Sequence, residues 1–540
     1  MNISAIDLAV IIGYIVLIVI LGCGATWWQR RKTGKPEGGE GEGYFLAGNS
    51  LTWPMIGLAL FSTNISTVQL VSLAEEGFTH GLVKGNTEWM AGFTLIILAL
   101  FFAPFYLRSR VATLPDFLEK RYSKASRNWL AFISIFSAVF IHIGFTLFTA
   151  ATVMNGMFGL DMNVSIISIA MLTGLYTIVG GLLAVVVTET VQTIVLLVGA
   201  ICLTVIAYTQ VGGWSGLTAN IDPVKLSMLR ASDDPSGMPW YAALLGYPVI
   251  GIWYWCTDQT IVQRVLGAKD ENHARVGPLF AGFIKLLPVF ILVLPGLICA
   301  ALIAQGKMPA LADSKNTYSH MIRHLLPTGL IGLMAAALLA AAMSTISGAL
   351  NSIATLFSYD LYKQWRPNTS DRKLVQIGRI VTFVGMVLAI LWSIFGIGAG
   401  DGTIFEKFVA MICYVAPSVT VTFLLGVFWK RASSFGSFFT LVVGSALGIA
   451  GIILQINEIK TFIFDNFWMA GFYLAMICTV IHIAASLIRP DREMTEQQKS
   501  LVWGNPLDAL KAASWKGIGD YRILAGVLLA TLIVMYAIFR

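Results

Sequence analysis

Apolar stretches of about 20 residues recur from one end of this chain to the other, and nothing else limits its fold so tightly, because each can cross a bilayer as a helix. Hydrocarbon offers the backbone no water to bond, so runs of that length close their own hydrogen bonds helically. Of the 540 residues, 57% are hydrophobic and 12% charged, with a mean hydropathy of +0.76, well outside the soluble globular range. Fourteen spans are expected, near residues 5–27, 50–72, 82–107, 128–156, 162–184, 189–210, 240–264, 275–305, 327–360, 373–396, 403–427, 433–455, 466–487 and 521–539. The first lacks the basic start of a signal peptide, carries Asp7 and is too long for a signal's apolar core, so it reads as a retained helix.

The net charge of +7 follows the loops. Lys and Arg gather in 29–35, 108–127, 264–275, 363–373, 430–431 and 489–522, whereas the loops near 73–81, 212–239, 306–326 and 456–464 hold few. An even span count returns both termini to one side, and the positive-inside rule puts them outside a cell membrane, extracellular or periplasmic. The basic balance thus reports orientation, and nucleic acid is not an expected partner. All six cysteines lie in apolar runs without C-x-x-C spacing and read as small core residues.

Two spans are not ordinary apolar helices. The second contains LALFSTNISTVQ (58–69), a polar interruption at mid-membrane depth, where unpaired groups are costly unless they bind something. The seventh contains GYPVIGIWYWCTDQ (246–259), in which Pro248 and two glycines are expected to break the helix. The two lie five spans apart, the pattern of an inverted-repeat transporter with its site near the midplane.

Four polar features each carry two readings. Lys285 stands about ten residues inside the eighth span, roughly 15 Å from Arg275 at helical rise; it is either a site residue or a snorkelling lysine. Glu88 begins an apolar run and is either a site carboxylate or a helix N-terminal charge. The cluster AAAMSTISG (340–348) either packs helices through small residues or offers hydroxyls to a hard cation. His142, at mid-span, is either a packed, hydrogen-bonded side chain or a pocket donor. Asp258 and Glu189 fall near span ends, where water and basic partners are expected.

The segments IVGGLLAVVVTETVQ (178–192), WYWCTDQTIVQR (253–264) and FLLGVFWKR (423–431) resemble, in order and spacing, signatures of the sodium/solute symporter family in its sodium-glucose cotransporter branch. The resemblance runs from about residue 40 to 490. It implies an all-α membrane fold with a LeuT-like core of inverted five-helix repeats at 50–210 and 240–428. An extra N-terminal helix and linker (1–49), an extracellular loop (211–239) and three additional helices (429–540) would surround that core. It further implies sodium ligands at the carbonyls of Ser62, Ile65 and Ala341 and the hydroxyls of Ser344 and Thr345. Solute contacts would come from Asn64, Gln69, Glu88 and Lys285, with Tyr254 as an aromatic inner gate, Trp255 beside it, and Leu73 and Phe405 in an outer lid.

The departures from the family pattern are equally specific. Val409, Ala91 and Gly251 stand where polar groups are usual, His142 replaces a smaller polar residue and could compensate, and Glu189 takes the place of an aspartate tied to sodium exit. The function implied is sodium-coupled import of a small polyhydroxylated solute, a sugar or a polyol such as a hexose or inositol, by alternating access. Sodium, the solute and the bilayer are the expected partners; no protein partner and no enzymatic activity are implied. Competing readings are a symporter for an amino acid or organic acid and a solute sensor without net flux.

Overall fold

A computed structural model describes residues 4–33, 39–397, 404–457, 459, 461, 463–464 and 466–540, with the side chains at 26, 28–33, 39, 404–408 and 456 outside that description. Among the described residues the chain is built of helices, with two isolated bridges, Leu51 to Ala268 and Arg230 to Pro239. Eleven helices are long and apolar enough to cross a membrane, and the bent pair Trp53–Asn64 and Thr67–Thr79 makes a twelfth span.

Two further spans complete the expected fourteen. Helix Met162–Val211 has 50 residues, about 75 Å at the usual rise, more than twice the ~30 Å of a bilayer core. It turns at Gly181, whose φ of +61° a side chain would resist, and the carbonyl of Tyr44 packs where a Cβ would stand. Spans five and six are thus the two arms of one helical run. The seventh is Ala242–Thr257 continued by Gln259–Leu266.

The ninth span, within Leu330–Trp365, is the most enclosed of those eleven helices, with 83% of its most apolar stretch buried. Its alanines and serines permit close backbone approach, as packing in lipid requires: at Gly199 of the sixth span a Cβ would lie 3.0 Å from that of Ala337. Bulky apolar residues such as Ile167, Phe383 and Val480 face outward, toward lipid. Asp7 of the first span accepts from the backbone N–H groups of Gly329 (2.8 Å) and Gly332 (2.7 Å), satisfying otherwise orphaned donors at the start of the ninth.

The seventh span corrects one expectation. Its break lies at Asp258 (φ −86°, ψ 123°), not at the proline or the glycines. Pro248 follows a widened π-turn at Ala242–Gly246 and sits in the first turn of Tyr247–Ile252, where its missing N–H does no harm. The eighth span is broken as well: Glu271–Ile284 stops before Lys285, and the helix resumes at Val289–Val293. Pro288 has no N–H to return to the carbonyl four residues earlier, which explains the stop.

Candidate cation and solute sites

The second span bends by 64° between its halves. Ile65 ends the first half in an extended conformation, and Ser66 caps the second by accepting from Val68 N–H. Gln69 closes the capping box, its Oε1 accepting from Ser66 N–H at 3.0 Å and from the Ser66 hydroxyl. That oxygen is committed to the cap, so the side-chain NH2 is what Gln69 has left to offer a solute.

The freed carbonyls of this break meet the hydroxyls of the ninth span. Ser344 Oγ donates to Ser62 O (2.8 Å) and lies 3.1 Å from Ala341 O; Thr345 Oγ1 lies 3.0 Å from Thr63 O and 3.3 Å from Ala341 O. The structure therefore brings together Ser62, Ala341, Ser344 and Thr345, with Ile65 at the end of the same turn, and adds Thr63 to the set. Every donor atom is oxygen, the ligand type hard cations take.

Beneath this cluster lies a buried ion pair. Arg264 donates to both carboxylate oxygens of Glu189, each side chain 0% exposed, and Thr63 Oγ1 donates to Glu189 at 2.8 Å. Glu189 thus has the basic partner expected of it but not the water-accessible span end: Arg264 is folded inward and also donates to the Thr260 carbonyl. A Cβ at Gly348, one turn beyond Ser344 on the ninth span, would collide with Nη2 of Arg264.

On the other side of the broken second span is a small cavity of about 80 Å³. Asn64, Gln69, Thr87, Glu88, Tyr254 and Trp255 line its polar part, while Ile250, Gly251, Val409 and Ile412 supply an apolar wall beside Tyr247 and Trp468. Lys285 reaches it through its partners, donating to Glu88 and, at 2.5 Å, to Asn64 Oδ1, with Nζ 5.6 Å from the Trp255 ring centroid. The ammonium emerges at the break in the eighth span, so its depth is a chain turn rather than a snorkelling helix face. Trp89 Nε1 donates to the freed Leu286 carbonyl at 3.2 Å.

His142 does not line this cavity. Its Nε2 lies 3.0 Å from Asp258 Oδ2, behind Tyr254, whose ring centroid is 6.1 Å away. Asp258 is itself buried, caps Gln259–Leu266 by accepting from Thr260 N–H, and has His142 as partner instead of the expected water. Gly251 lacks a polar side chain for a steric reason: a Cβ there would come 2.7 Å from Tyr247 Cε1 and 2.8 Å from Thr94 Cγ2. Ala91 is buried away from the cavity lining and Leu73 is fully buried, while Phe405 lies outside the described side chains. Reasoning from sequence missed Thr87, Tyr247, Ile250, Ile412 and Trp468. The last comes from the thirteenth span, and its buried indole N–H has no hydrogen-bond partner among the described residues.

A multi-pass helical bundle with opposed broken spans, an oxygen cluster on one and a polar cavity beside it, defines a membrane transporter of the LeuT-like class. Within that class the chain belongs to the sodium:solute symporter family, whose model matches residues 44–444. It is 33% identical to sodium/glucose cotransporter 1 of Sus scrofa, over 84% of this chain and 72% of that protein. It is 34% identical to sodium/myo-inositol cotransporter 2 of Oryctolagus cuniculus, over 83% of this chain and 70% of that protein. To the sodium/mannose cotransporter of Bos taurus it is 34% identical, over 84% and 80%. The fold matches a substrate-bound, outward-open Na+-coupled sialic acid symporter with a TM-score of 0.75 at 21% identity, covering 91% of this chain and all of that one. Sodium is the coupling ion.

Proposed function

We propose that the protein imports a neutral, polyhydroxylated solute, a hexose or an inositol-like polyol, together with Na+. One observation carries the reading: the cavity's carboxylate, Glu88, is paired with Lys285, so the site presents no surplus charge. A carboxylate or amino acid would need an unpaired counter-ion, because burying a lone charge is expensive. The pair and its neighbours instead offer several charge-assisted donors and acceptors to hydroxyls, and Tyr254 and Trp255 offer aromatic faces to the C–H side of a ring. Relatives named for glucose, inositol and mannose support the same class.

In this reading Na+ binds among the carbonyls of Ser62, Ile65 and Ala341 and the hydroxyls of Ser344 and Thr345. It fixes the broken second span, and with it Asn64 and Gln69. Substrate recognition by Asn64, Gln69, Glu88, Lys285, Tyr254 and Trp255 is thereby coupled to the ion, since each ligand favours the arrangement that suits the other. His142 acts behind Tyr254 through Asp258. The cavity's 80 Å³ is well below the ~300 Å³ of a typical ligand site, so admitting a hexose requires the aromatic wall to move. Glu189 and Arg264 must part to release the ion toward the basic-loop side, which the charge asymmetry makes cytoplasmic, with both termini outside.

Uptake of labelled sugars, inositols, amino acids and organic acids into proteoliposomes under an inward Na+ gradient tests the proposal. Sodium-dependent uptake of a sugar or polyol, abolished when K+ replaces Na+, is the expected result. Uptake confined to a charged solute would refute the solute class and keep the symporter, whereas saturable sugar binding without flux would point to a sensor.

A further inference from the structure

A second cavity, far from the transport site in sequence and chemistry, lies where the loop after the third span meets the end of the ninth. It measures about 500 Å³ and is lined by Arg110, Thr113, Asp116, Lys124, Arg127, Tyr359, Lys363 and Gln364, among others. We propose that it is a binding site for a phosphate group.

The charges there are unevenly committed. The three carboxylates all belong to Arg127, which donates to Asp360 Oδ1 at 2.8 Å and to Glu119 at 2.5 Å and lies 3.7 Å from Asp116. Asp116 is also paired with Lys120 at 3.4 Å. Arg110, Lys124 and Lys363 have no carboxylate within ion-pair distance among the described residues, yet all three border the same cavity. All three are solvent-exposed, so water screens their mutual repulsion in part, and an anion between them removes the rest.

Three local features point the same way. Lys124 is the first residue of helix Lys124–Phe136, capped by Ser123. Lys124 is exposed, and a lysine there adds positive charge to the end of the helix that is already positive, a combination an anion makes more favourable. Arg110 holds φ at +46°, a left-handed conformation that non-glycine residues avoid. Gln364, half-buried, also lines the cavity; its Nε2 is closed to solvent and has no hydrogen-bond partner among the described residues, and turning that amide outward gives a phosphate oxygen a donor. The volume is in the range of small-molecule sites and leaves room for a phosphorylated headgroup. Lys363 lies with Nζ 5.2 Å from the Tyr359 ring centroid, held at the rim.

The wall residues Tyr359, Lys363 and Gln364 follow Ser344 and Thr345 on the same helical run, Leu330–Trp365. A phosphate joining them to Arg110 and Lys124 would tie the far end of the cation-bearing span to the neighbouring loop. The phosphate can come from a phospholipid of the adjoining leaflet or from a soluble phosphate, and the test separates the two.

Purified full-length protein in neutral detergent, at fixed Na+, is titrated with potassium phosphate against potassium chloride at matched ionic strength, reading the unfolding midpoint. In parallel, native mass spectrometry compares retention of phosphatidic acid with that of phosphatidylcholine. Either a phosphate-specific rise in midpoint or selective retention of phosphatidic acid is expected, the first identifying a soluble ligand and the second a headgroup. K124Q/K363Q should weaken that binding at least tenfold and K124R/K363R should restore it, while Na+-dependent stabilisation, a check on folding, stays at the wild-type level. Neither response in the wild type, or equal binding by K124Q/K363Q, overturns the proposal.

Discussion

Replacing Lys285 by methionine tests the electrostatic logic of the solute site most directly. Lys285 and Glu88 are 1% and 3% exposed, and each is the other's charged partner. Removing only the lysine leaves a carboxylate buried among apolar and aromatic side chains, a loss of about 3–5 kcal/mol for buried pairs of this kind. Removing both charges, in Glu88→Gln/Lys285→Met, relieves that penalty. What remains lost is chiefly the hydrogen bond to Asn64 Oδ1, worth about 1.5–3 kcal/mol for a charged donor. The single variant should therefore be the less stable of the two. Uptake should fall below a tenth of wild type in both, because both lose the groups that face the solute. Denaturant titration in micelles and uptake into proteoliposomes give the two readings. A Lys285→Met protein as stable as wild type, or a double variant no more stable than the single one, would refute the description of a mutually dependent buried pair. Uptake by Lys285→Met above half the wild-type rate would remove the lysine from solute recognition.

Ser344→Ala should raise the Na+ concentration for half-maximal uptake at least tenfold, about 1.4 kcal/mol of lost cation binding, whereas Thr345→Ser, which keeps its oxygen, should leave it within twofold; uptake against Na+ concentration measures both. Trp468→Phe keeps the aromatic packing and removes the unpartnered indole N–H, so KM for the solute should rise about three- to tenfold, the value of one neutral hydrogen bond of about 0.5–1.5 kcal/mol; an unchanged KM would exclude Trp468 from the solute contacts. Gly251→Ser places atoms against Tyr247 and Thr94 and should cost about 1–3 kcal/mol of stability by overpacking, readable as a lower denaturation midpoint rather than as improved sugar binding.

The interruption in the second span was legible because Ser62, Thr63, Asn64 and Ser66 follow one another where apolar residues are required. Lys285 was legible because a lysine ten residues into an apolar run needs a partner. The break beside it was signalled by Pro288 and overlooked, since the apolar run continues unbroken on both sides of it. In the seventh span the proline and glycines drew the break to the wrong place: a π-turn absorbs Pro248, and the chain opens at Asp258, which makes a good helix cap. Nothing local marks Trp468. Its span lies outside the expected ten-helix core, and only tertiary packing brings it to the cavity. His142 and Glu189 show the same limit, because a buried polar residue announces that it has a partner without saying which one.

Gly348 has a further consequence. Its missing side chain leaves the space that Arg264 occupies while paired with Glu189, on the same span that carries Ser344 and Thr345. Span nine and the arginine thus interlock, and one methyl group added at Gly348 acts as a wedge chiefly on the sealed arrangement, with a lesser contact 3.1 Å from Thr63 Cγ2. Gly348→Ala should shift the resting population toward the face where Glu189 and Arg264 have separated, and accessibility labelling near Glu189 would record that shift. One absent carbon then helps set which side of the membrane the protein faces while it waits for its ion.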